Sequence, residues 1–229
     1  MKIAEFFQSI QGEGEFAGTP SVFVRTTGCN LRCWFCDTPY TSWEPEGTHE
    51  TWPDLAERIL ACDCEHVVLT GGEPMLQPDI VPLTERLTRA GRLVTIETAG
   101  TVHRPVQAAL MSISPKRPNS TPRPTDRESR WSVRHEALRD RTDVVVRMTR
   151  EYRYQLKYVI DSPADVTDVE KHVAQIGGIA PARVYLMPQG TDVGELRDKS
   201  RWLCEEAARR GYSVSPRLHI ELFGNRRGT

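Results

Sequence analysis

The sequence has almost no net charge and no long apolar segment. Its 30 lysines and arginines are offset by 31 aspartates and glutamates, which leaves a formal net charge of −1. This balance gives no electrostatic reason to expect a nucleic-acid or anionic-membrane partner. No apolar run approaches a membrane span, and residues 1–10 contain Glu5 and lack the apolar core of a signal peptide. We therefore expect a cytoplasmic protein without nucleic-acid or membrane partners.

Internal repeats and long low-complexity tracts are also absent. The chain has 229 residues, which fits one domain or one domain with an insertion. Hydrophobic residues make up 38% and charged residues 27%, a balance that allows a sizeable buried core. We expect residues 1–229 to form a single domain.

Three of the six cysteines form a tight cluster that lacks a fourth member. Cys29 and Cys33 are separated by three residues, and Cys33 and Cys36 by two. Four thiolates normally saturate a four-iron cluster, so three leave one iron open to a substrate or cofactor. The next cysteine, Cys62, lies beyond a predicted helix. In a chain without a secretory signal, these thiols also indicate a reducing compartment.

Two other interpretations of the cysteines remain open at this point. Zinc would be held by the three cysteines with His49, although zinc sites usually combine a close pair with a second, distant pair. Alternatively, the three thiols are buried and inert. A disulfide is disfavoured because three clustered thiols cannot pair evenly. The spacing favours the iron–sulfur cluster.

Apolar runs alternate with helical patterns along most of the chain. A short strand begins near Ile3, and six core strands are predicted at Ser21–Arg25, Val67–Thr70, Leu93–Glu97, Met111–Ser114, Tyr154–Ile160 and Val184–Met187. Helices are predicted at 52–61, 78–90, 105–110, 165–176 and 196–210, and a final strand at 218–222. Alternation of this kind implies a parallel sheet. Because a closed eightfold barrel usually needs about 250 residues, we predict a partial, open parallel β/α barrel of about six strands.

Residues 117–154 interrupt this alternation. They contain ten arginines, three prolines and six acidic residues, with a possible short helix that carries Trp131, His135 and Leu138. The acids weaken any polyanion-binding interpretation. We interpret the segment as a solvated insertion or lid.

Polar or glycine-bearing segments follow the predicted strands. They are the cysteine loop, Gly71-Gly72-Glu73-Pro74, Thr98-Ala99-Gly100-Thr101, Ser114-Pro115-Lys116 and Met187-Pro188-Gln189-Gly190. Ligands of barrels and open α/β sheets bind at the carboxyl ends of strands. These five loops therefore predict one site.

The cysteine spacing is the signature of the radical S-adenosylmethionine (SAM) family, which this stretch resembles. Gly71-Gly72-Glu73-Pro74 resembles the family's glycine-rich motif, which contacts the amino group of SAM. The resemblance implies a [4Fe-4S] cluster on Cys29, Cys33 and Cys36 whose open iron binds SAM. The reduced cluster would cleave SAM to a 5′-deoxyadenosyl radical. Cys62, Cys64 and Cys204 form no second cluster motif, which argues against classes with auxiliary clusters.

Further segments narrow the resemblance to the 7-carboxy-7-deazaguanine synthase family. They are Gln11-Gly12-Glu13-Gly14, Arg25, Cys36-Asp37-Thr38, Glu97 to Thr101, Ser114-Pro115-Lys116 and the tail around His219. Family members are carbon–nitrogen lyases that convert 6-carboxy-5,6,7,8-tetrahydropterin to 7-carboxy-7-deazaguanine, a queuosine precursor, with loss of ammonia. The radical takes a hydrogen from C6, the ring contracts, and magnesium assists. The resemblance also implies a homodimer and an electron donor such as flavodoxin or ferredoxin.

The resemblance assigns roles residue by residue. The SAM-contacting positions are Glu73, Gly100, Ser114, Pro115, Lys116, Met187, Pro188, Gln189 and Gly190. The substrate-contacting positions are Ile10, Gln11, Gly12, Glu13, Arg25 and Thr98, and Thr38 is the magnesium ligand. His219 is a softer substrate-side candidate, because a lone histidine near apolar residues is more often packed or on the surface. The tail continues through Gly224 and Arg227, beyond the point where some members end, so its substrate contacts stay unassigned.

The residue types suit this assignment. Glu13 and backbone carbonyls can accept from the aminopyrimidine edge of a pterin, and Arg25 can bind its carboxylate, or pair with a structural acid instead. Two rival functions would use some of the same residues. Another radical SAM enzyme, such as a glycyl-radical activase, would share the cluster. A zinc-stabilised binding module would use the arginine-rich insertion.

Overall fold

The protein forms one nine-stranded sheet with helices packed against it. The structure, a computed structural model, describes residues 1–122 and 129–229. The strands are β1 (Lys2–Ile10), β2 (Pro20–Thr26), β3 (Thr48–His49), β4 (His66–Gly71), β5 (Leu93–Thr98), β6 (Leu110–Ile113), β7 (Tyr154–Ile160), β8 (Val184–Pro188) and β9 (Ser213–Val214). Their order is β3-β1-β2-β4-β5-β6-β7-β8-β9.

The sheet is mostly parallel and does not close. Each neighbouring pair from β2 to β9 is parallel, whereas β1 runs antiparallel to both β2 and β3. Within the described ranges, the edge strands β3 and β9 do not pair with each other. The six predicted core strands are all present, so the predicted open parallel α/β architecture is confirmed.

Eight helices connect or flank the strands in the described ranges. They are α1 (Pro39–Ser42), α2 (Trp52–Leu60), α3 (Ile80–Arg89), α4 (Ser129–Arg139), α5 (Thr142–Glu151), α6 (Pro163–Ile176), α7 (Val193–Arg210) and α8 (Leu218–Phe223). Sequence features fix their ends. The Thr51 side chain accepts from the Asp54 N–H at the start of α2, and Ser162 with Asp165 forms a capping box at α6. None of these helices is long and apolar enough to cross a membrane.

The core lies between the sheet and the helices. In β4, Val67, Val68 and Leu69 are all buried, as expected for a central strand covered on both faces. Leu55 and Ile59 of α2 pack into the same hydrophobic core as Val67 and Leu69. Burying this apolar surface is the main stabilising contribution to the fold.

Two predicted elements are wrong. The segment 105–109 is irregular, with the Gln107 N–H bonded to the Thr84 hydroxyl of α3, and Leu110 begins β6 instead of ending a helix. Residues 218–222 form the start of helix α8 rather than a strand. Their alternating apolar pattern suggested a strand, but β9 has only two residues, and the tail leaves the sheet after it.

The described part of the insertion contains two helices, one of which packs into the core. Helix α4 confirms the helix predicted around Trp131, and α5 is an additional helix. Val144, Val145 and Met148 of α5 are buried in the main core, so this part is not solvated. The proline at position 124 lies outside the described residues.

Candidate functional site

One cavity of about 490 Å³ gathers most of the predicted site residues. From the predicted set, its lining contains Ile10, Gln11, Gly12, Glu13, Arg25, Cys29, Cys33, Cys36, Thr38, Thr98, Ser114, Lys116, Met187, Gln189, Gly190 and His219. Segments that are far apart in the sequence meet here because parallel strands deliver their following loops to the same edge of a sheet.

The segment after β1 brings a second group of residues to the cavity by crossing one face of the sheet. The Gln11 side-chain amide donates to the Glu97 carboxylate of β5 at 3.3 Å, and Glu13 forms an ion pair with Lys157 of β7. The N–H of Gly14 donates to the Ser215 hydroxyl at 2.8 Å. This segment therefore covers the inner face of the open sheet next to the strand-end loops.

The three clustered cysteines are free thiols that line this cavity. Cys33 is buried, and Cys29 and Cys36 are half-buried. Burial raises the pKa of the Cys29 and Cys33 thiols to about 12. A thiolate at either position therefore needs a positive partner, and bound iron provides one. The donor set thus fits a cationic iron centre reached from the cavity.

The glycine-rich loop after β4 packs directly against the cysteine loop. The Glu73 N–H donates to the Gly28 carbonyl at 2.9 Å, and the Gly28 N–H donates to the Thr41 carbonyl at 2.8 Å. A Cβ on Gly72 would lie 2.2 Å from the Gly28 carbonyl oxygen. Glycine is required at position 72 because of this close backbone approach.

Glu73 lies behind the cavity wall rather than in its lining. Its fully buried carboxylate accepts from the Met75 N–H at 3.0 Å, the Thr98 hydroxyl at 2.8 Å and the Ala99 N–H at 2.8 Å. Burial raises its pKa, against the effect of these donors. The side chain therefore joins the loops after β4 and β5.

A buried ion network occupies the predicted substrate side. Lys157 pairs with Glu13 and lies 3.6 Å from Glu97, and its side chain is only 5% exposed. Burial alone would raise the pKa of Glu13, but the charges of Lys157 and Arg217 outweigh it and lower the pKa. Glu13 is therefore ionised at neutral pH.

Arg25 makes the structural ion pair that was one of its two predicted roles. Its Nε donates to the Glu5 carboxylate at 2.7 Å, and the Tyr40 hydroxyl donates to the same carboxylate at 2.6 Å. Arg25 also lines the cavity. The structural ion pair is therefore present, and it holds the guanidinium at the cavity wall.

His219 lies at the cavity, in contact with the predicted substrate loop. A Cβ on Gly12 would fall 2.0 Å from His219 Nδ1 and 2.9 Å from the His219 backbone nitrogen. The Leu218 N–H donates to the Gly12 carbonyl at 3.0 Å. Burial lowers the pKa of His219. The start of α8 therefore docks on the loop that follows β1.

Only some of the residues predicted to contact SAM line the cavity. Lys116 Nζ donates to the Ser114 hydroxyl at 2.7 Å, and both residues line the cavity. The Gln189 side chain accepts from Lys199 of α7 at 2.9 Å. Three further predicted positions, Gly100, Pro115 and Pro188, are adjacent in sequence to lining residues but are outside the lining.

The proposed zinc ligand His49 is not brought to the cysteines. It lies in the edge strand β3, paired with Lys2, and is exposed. In the parts of the chain that the structure describes, no three His, Cys, Asp or Glu side chains are arranged to hold a single metal ion. A cluster with several irons does not require its three ligands to converge on one ion.

The sequence analysis assigns no site role to six charged lining residues, which are Asp37, Glu97, Lys157, Arg217, Arg226 and Arg227. Lys157 carried a usable signal, since a lysine between Leu156 and Tyr158 in a central apolar strand needs a buried partner. Arg217 carried none, because its position depends on how the tail folds back.

Comparisons with known proteins agree with the geometry. Residues 23–144 match the model of the Radical SAM superfamily. A protein of Rhodopirellula baltica named 7-carboxy-7-deazaguanine synthase is 47% identical over 99% of this chain and 88% of its own length. One of the same name from Halobacterium salinarum is 42% identical over 98% of this chain and 91% of its own length. The crystal structure of QueE from Escherichia coli is similar with a TM-score of 0.70 and 25% identity, over 95% of this chain and 94% of that one.

Proposed function

Because the chain belongs to the 7-carboxy-7-deazaguanine synthase family of the radical SAM superfamily, we propose that it converts 6-carboxy-5,6,7,8-tetrahydropterin to 7-carboxy-7-deazaguanine with loss of ammonia. In this role it is a carbon–nitrogen lyase. The observation that carries the proposal is one cavity that contains both the three cysteines and the polar segment Ile10–Glu13. The [4Fe-4S] cluster and SAM supply the radical that removes the hydrogen at C6 when they are bound.

The cysteine side of the cavity holds the cofactors. Cys29, Cys33 and Cys36 bind the cluster as thiolates. Ser114, Lys116, Met187, Gln189 and Gly190 line the wall that SAM would contact, together with Gly72 and Ala99, which adjoin Glu73 and Gly100. The ammonium of Lys116 can receive a carboxylate, which SAM carries.

The opposite side binds the pterin. Backbone groups of Ile10 and Gly12 and the side chain of Gln11 present donors and acceptors to a flat heterocycle. The ionised Glu13 can accept from an aminopyrimidine edge. Thr98 and His219 border the same space.

The charge of the lining suits a substrate with a carboxylate. Six basic residues and three acidic residues line the cavity, which are Arg25, Lys116, Lys157, Arg217, Arg226 and Arg227 against Glu13, Asp37 and Glu97. Fixed cations in a partly closed cavity attract an anionic ligand more strongly than they would in water. Arg25 is held in place by Glu5 for such a contact.

Magnesium would bind at Thr38, which precedes α1 at the cavity wall. A hydroxyl with substrate oxygens and waters suits a cation that prefers oxygen ligands and keeps several waters. The reaction also needs an electron donor, for which a flavodoxin or ferredoxin is suitable, and a homodimer is the assembly that we expect. A cytoplasmic location fits the free thiols.

An anaerobic turnover assay tests the proposal. The protein would be reconstituted with iron and sulfide, reduced, and given SAM, magnesium and 6-carboxytetrahydropterin. We expect 7-carboxy-7-deazaguanine by mass spectrometry. If SAM were cleaved but this product did not form, the assignment of the cluster and SAM would stand, and the assignment of the pterin as substrate would be wrong. A protein that takes up zinc and no sulfide would reject the enzyme assignment.

A further inference from the structure

The guanidinium of Arg217 joins three separate segments of the cavity wall. Its Nε donates to the Glu13 carboxylate at 3.3 Å, and its Nη1 donates to the Gly190 carbonyl at 2.5 Å. Its Nη2 forms an ion pair with Asp37. The side chain is only 6% exposed, so these contacts are made away from bulk water.

Each of these three segments carries a different part of the proposed site. Glu13 ends the segment assigned to the pterin, and Gly190 ends a segment assigned to SAM. Asp37 lies between Cys36, a cluster ligand, and Thr38, the magnesium ligand. Arg217 itself precedes α8, whose first turn contacts the pterin loop through Leu218.

Only arginine can make this set of contacts. Its rigid planar fork presents donors in several directions at once, whereas a lysine presents one compact charge on a flexible stem. The charge is also needed, because Glu13 and Asp37 are two acidic groups close enough to influence each other. Lys157 pairs with Glu13 and lies near Glu97, whereas the ion pair with Asp37 is made by Arg217.

We propose that Arg217 is a positioning residue that fixes the spacing of the pterin, SAM and magnesium subsites, so that the affinity for each ligand depends on the other two. This role rests on the proposed function. It differs from the ligand-contacting roles above, because Arg217 acts through Glu13, Gly190 and Asp37.

The test compares Arg217→Lys with a matched control, Arg92→Lys. The Arg92 guanidinium also makes three hydrogen bonds, to the carbonyls of Leu60, Cys62 and Cys64 at 2.9 Å each, but these acceptors all lie at the end of α2 and in the one turn that follows it. It lies immediately before β5, at the other end of the strands. Both variants replace a guanidinium that makes three hydrogen bonds, so a general loss of stability should appear in both.

In Arg217→Lys we expect the KM for the pterin and for magnesium to rise about tenfold or more, the usual scale for breaking a buried charge contact. The enhancement of pterin affinity by SAM should fall, while the iron and sulfide content stays at the wild-type level. A second variant, Asp37→Asn, weakens one of the three contacts and should raise chiefly the KM for magnesium. Arg92→Lys should leave all of these values unchanged.

A second readout uses the cluster-free protein. Hydrogen–deuterium exchange should increase in Arg217→Lys at all three segments, 10–14, 36–42 and 188–191, and should not increase there in Arg92→Lys. Wild-type KM values and unchanged exchange in Arg217→Lys would overturn the positioning role. If the wild-type protein formed no deazaguanine, the proposed function would fail, and unchanged exchange would then separately overturn the role of Arg217.

Discussion

The two ends of the parallel strands contain polar residues in different settings. At the amino ends, His66 of β4 is 2% exposed, and its ring nitrogens contact the hydroxyls of Ser21 at 2.7 Å and Thr95 at 2.8 Å. Towards the carboxyl ends, Lys157 and Glu97 are also largely buried, but they face a cavity with the three cysteines. The His66 ring is therefore fully satisfied within the protein. Polar groups at the carboxyl ends still present hydrogen-bonding and charged groups to a ligand.

The amino ends of the strands therefore contribute to stability, whereas the carboxyl ends also form the ligand cavity. Buried polar groups are tolerated where partners are complete, and costly where they are not. The cavity end keeps a network of ion pairs whose members also line the ligand space. We expect substitutions at the cavity end to impair binding and turnover, and also stability where they break a buried ion pair, whereas those at the other end should affect folding alone.

The largest effect should come from Cys33→Ala. Without one of three ligands the cluster should not assemble, so turnover should be lost and bound iron and sulfide should fall. Chemical iron and sulfide analysis with the anaerobic assay measures both. The control is Cys204→Ala, in the exposed part of α7. Retention of wild-type cluster content in Cys33→Ala would contradict the assignment.

Lys157→Met should have the next largest effect. It leaves Glu13 and Glu97 without their shared cation, and removing one partner of a buried pair costs about 3–5 kcal/mol. The free energy of unfolding, measured by urea denaturation, should fall by this amount. A change below about 1 kcal/mol, the usual value of an exposed pair, would show that the network is solvated.

Gly12→Ala should impair turnover through the tail. The new methyl group would overlap the His219 ring and backbone, so α8 must shift away from the substrate loop. A displacement of about 1 Å in a site can cost about a hundredfold in rate. Gly194→Ala is the matched control, because this exposed residue lies in the first turn of α7 and its nearest atom is the end of the Asp192 side chain. Equal kcat/KM for both variants would contradict the role of the tail contact.

His66→Phe tests the amino ends. The substitution keeps an aromatic ring but removes the hydrogen bonds to the Ser21 and Thr95 hydroxyls, which should cost about 1–3 kcal/mol of unfolding free energy. The KM values for pterin, SAM and magnesium should stay at the wild-type level. A specific rise in any of these would mean that the two ends are not functionally separate.

The smallest effect is a pH dependence that originates at Glu13. Burial alone would raise its pKa, but Lys157 and Arg217 lower it below the ordinary value of 4.5. Its contribution to stability is therefore complete above pH 4.5 and is lost as the pH falls through the lower folded-state pKa. Unfolding free energy should decline less steeply below pH 4.5 in Lys157→Met than in the wild type, by up to about 1.4 kcal/mol per pH unit. Equal slopes in urea denaturation series would contradict the coupling.

Much of the fold was predictable because local sequence and tertiary structure agree. The apolar run Val67–Thr70 and the capping pattern at Thr51–Asp54 appear in the structure as β4 and the start of α2. The failures lie where tertiary context overrides the local pattern. The alternating residues 218–222 became a helix because the tail folds onto the loop at Gly12.

The candidate site was predictable only in part for a similar reason. The cysteines and glycine-rich loops have fixed spacings along the chain, so a sequence pattern reveals them. Arg217 acquires its partners from three distant segments, and Lys157 acquires Glu13 from a segment that crosses the sheet. Such contacts join residues that are far apart in the sequence, so no local spacing pattern reveals them.

The most direct test of the account is a crystal structure of the cluster-loaded protein with SAM and 6-carboxytetrahydropterin. We expect the pterin to lie at the cavity end of the sheet, within hydrogen-bonding distance of the segment 10–13 and of Arg25. The Arg217 contacts to Glu13, Asp37 and Gly190 should be retained. A pterin bound outside this cavity, or a guanidinium of Arg217 turned away from all three partners, would contradict the account.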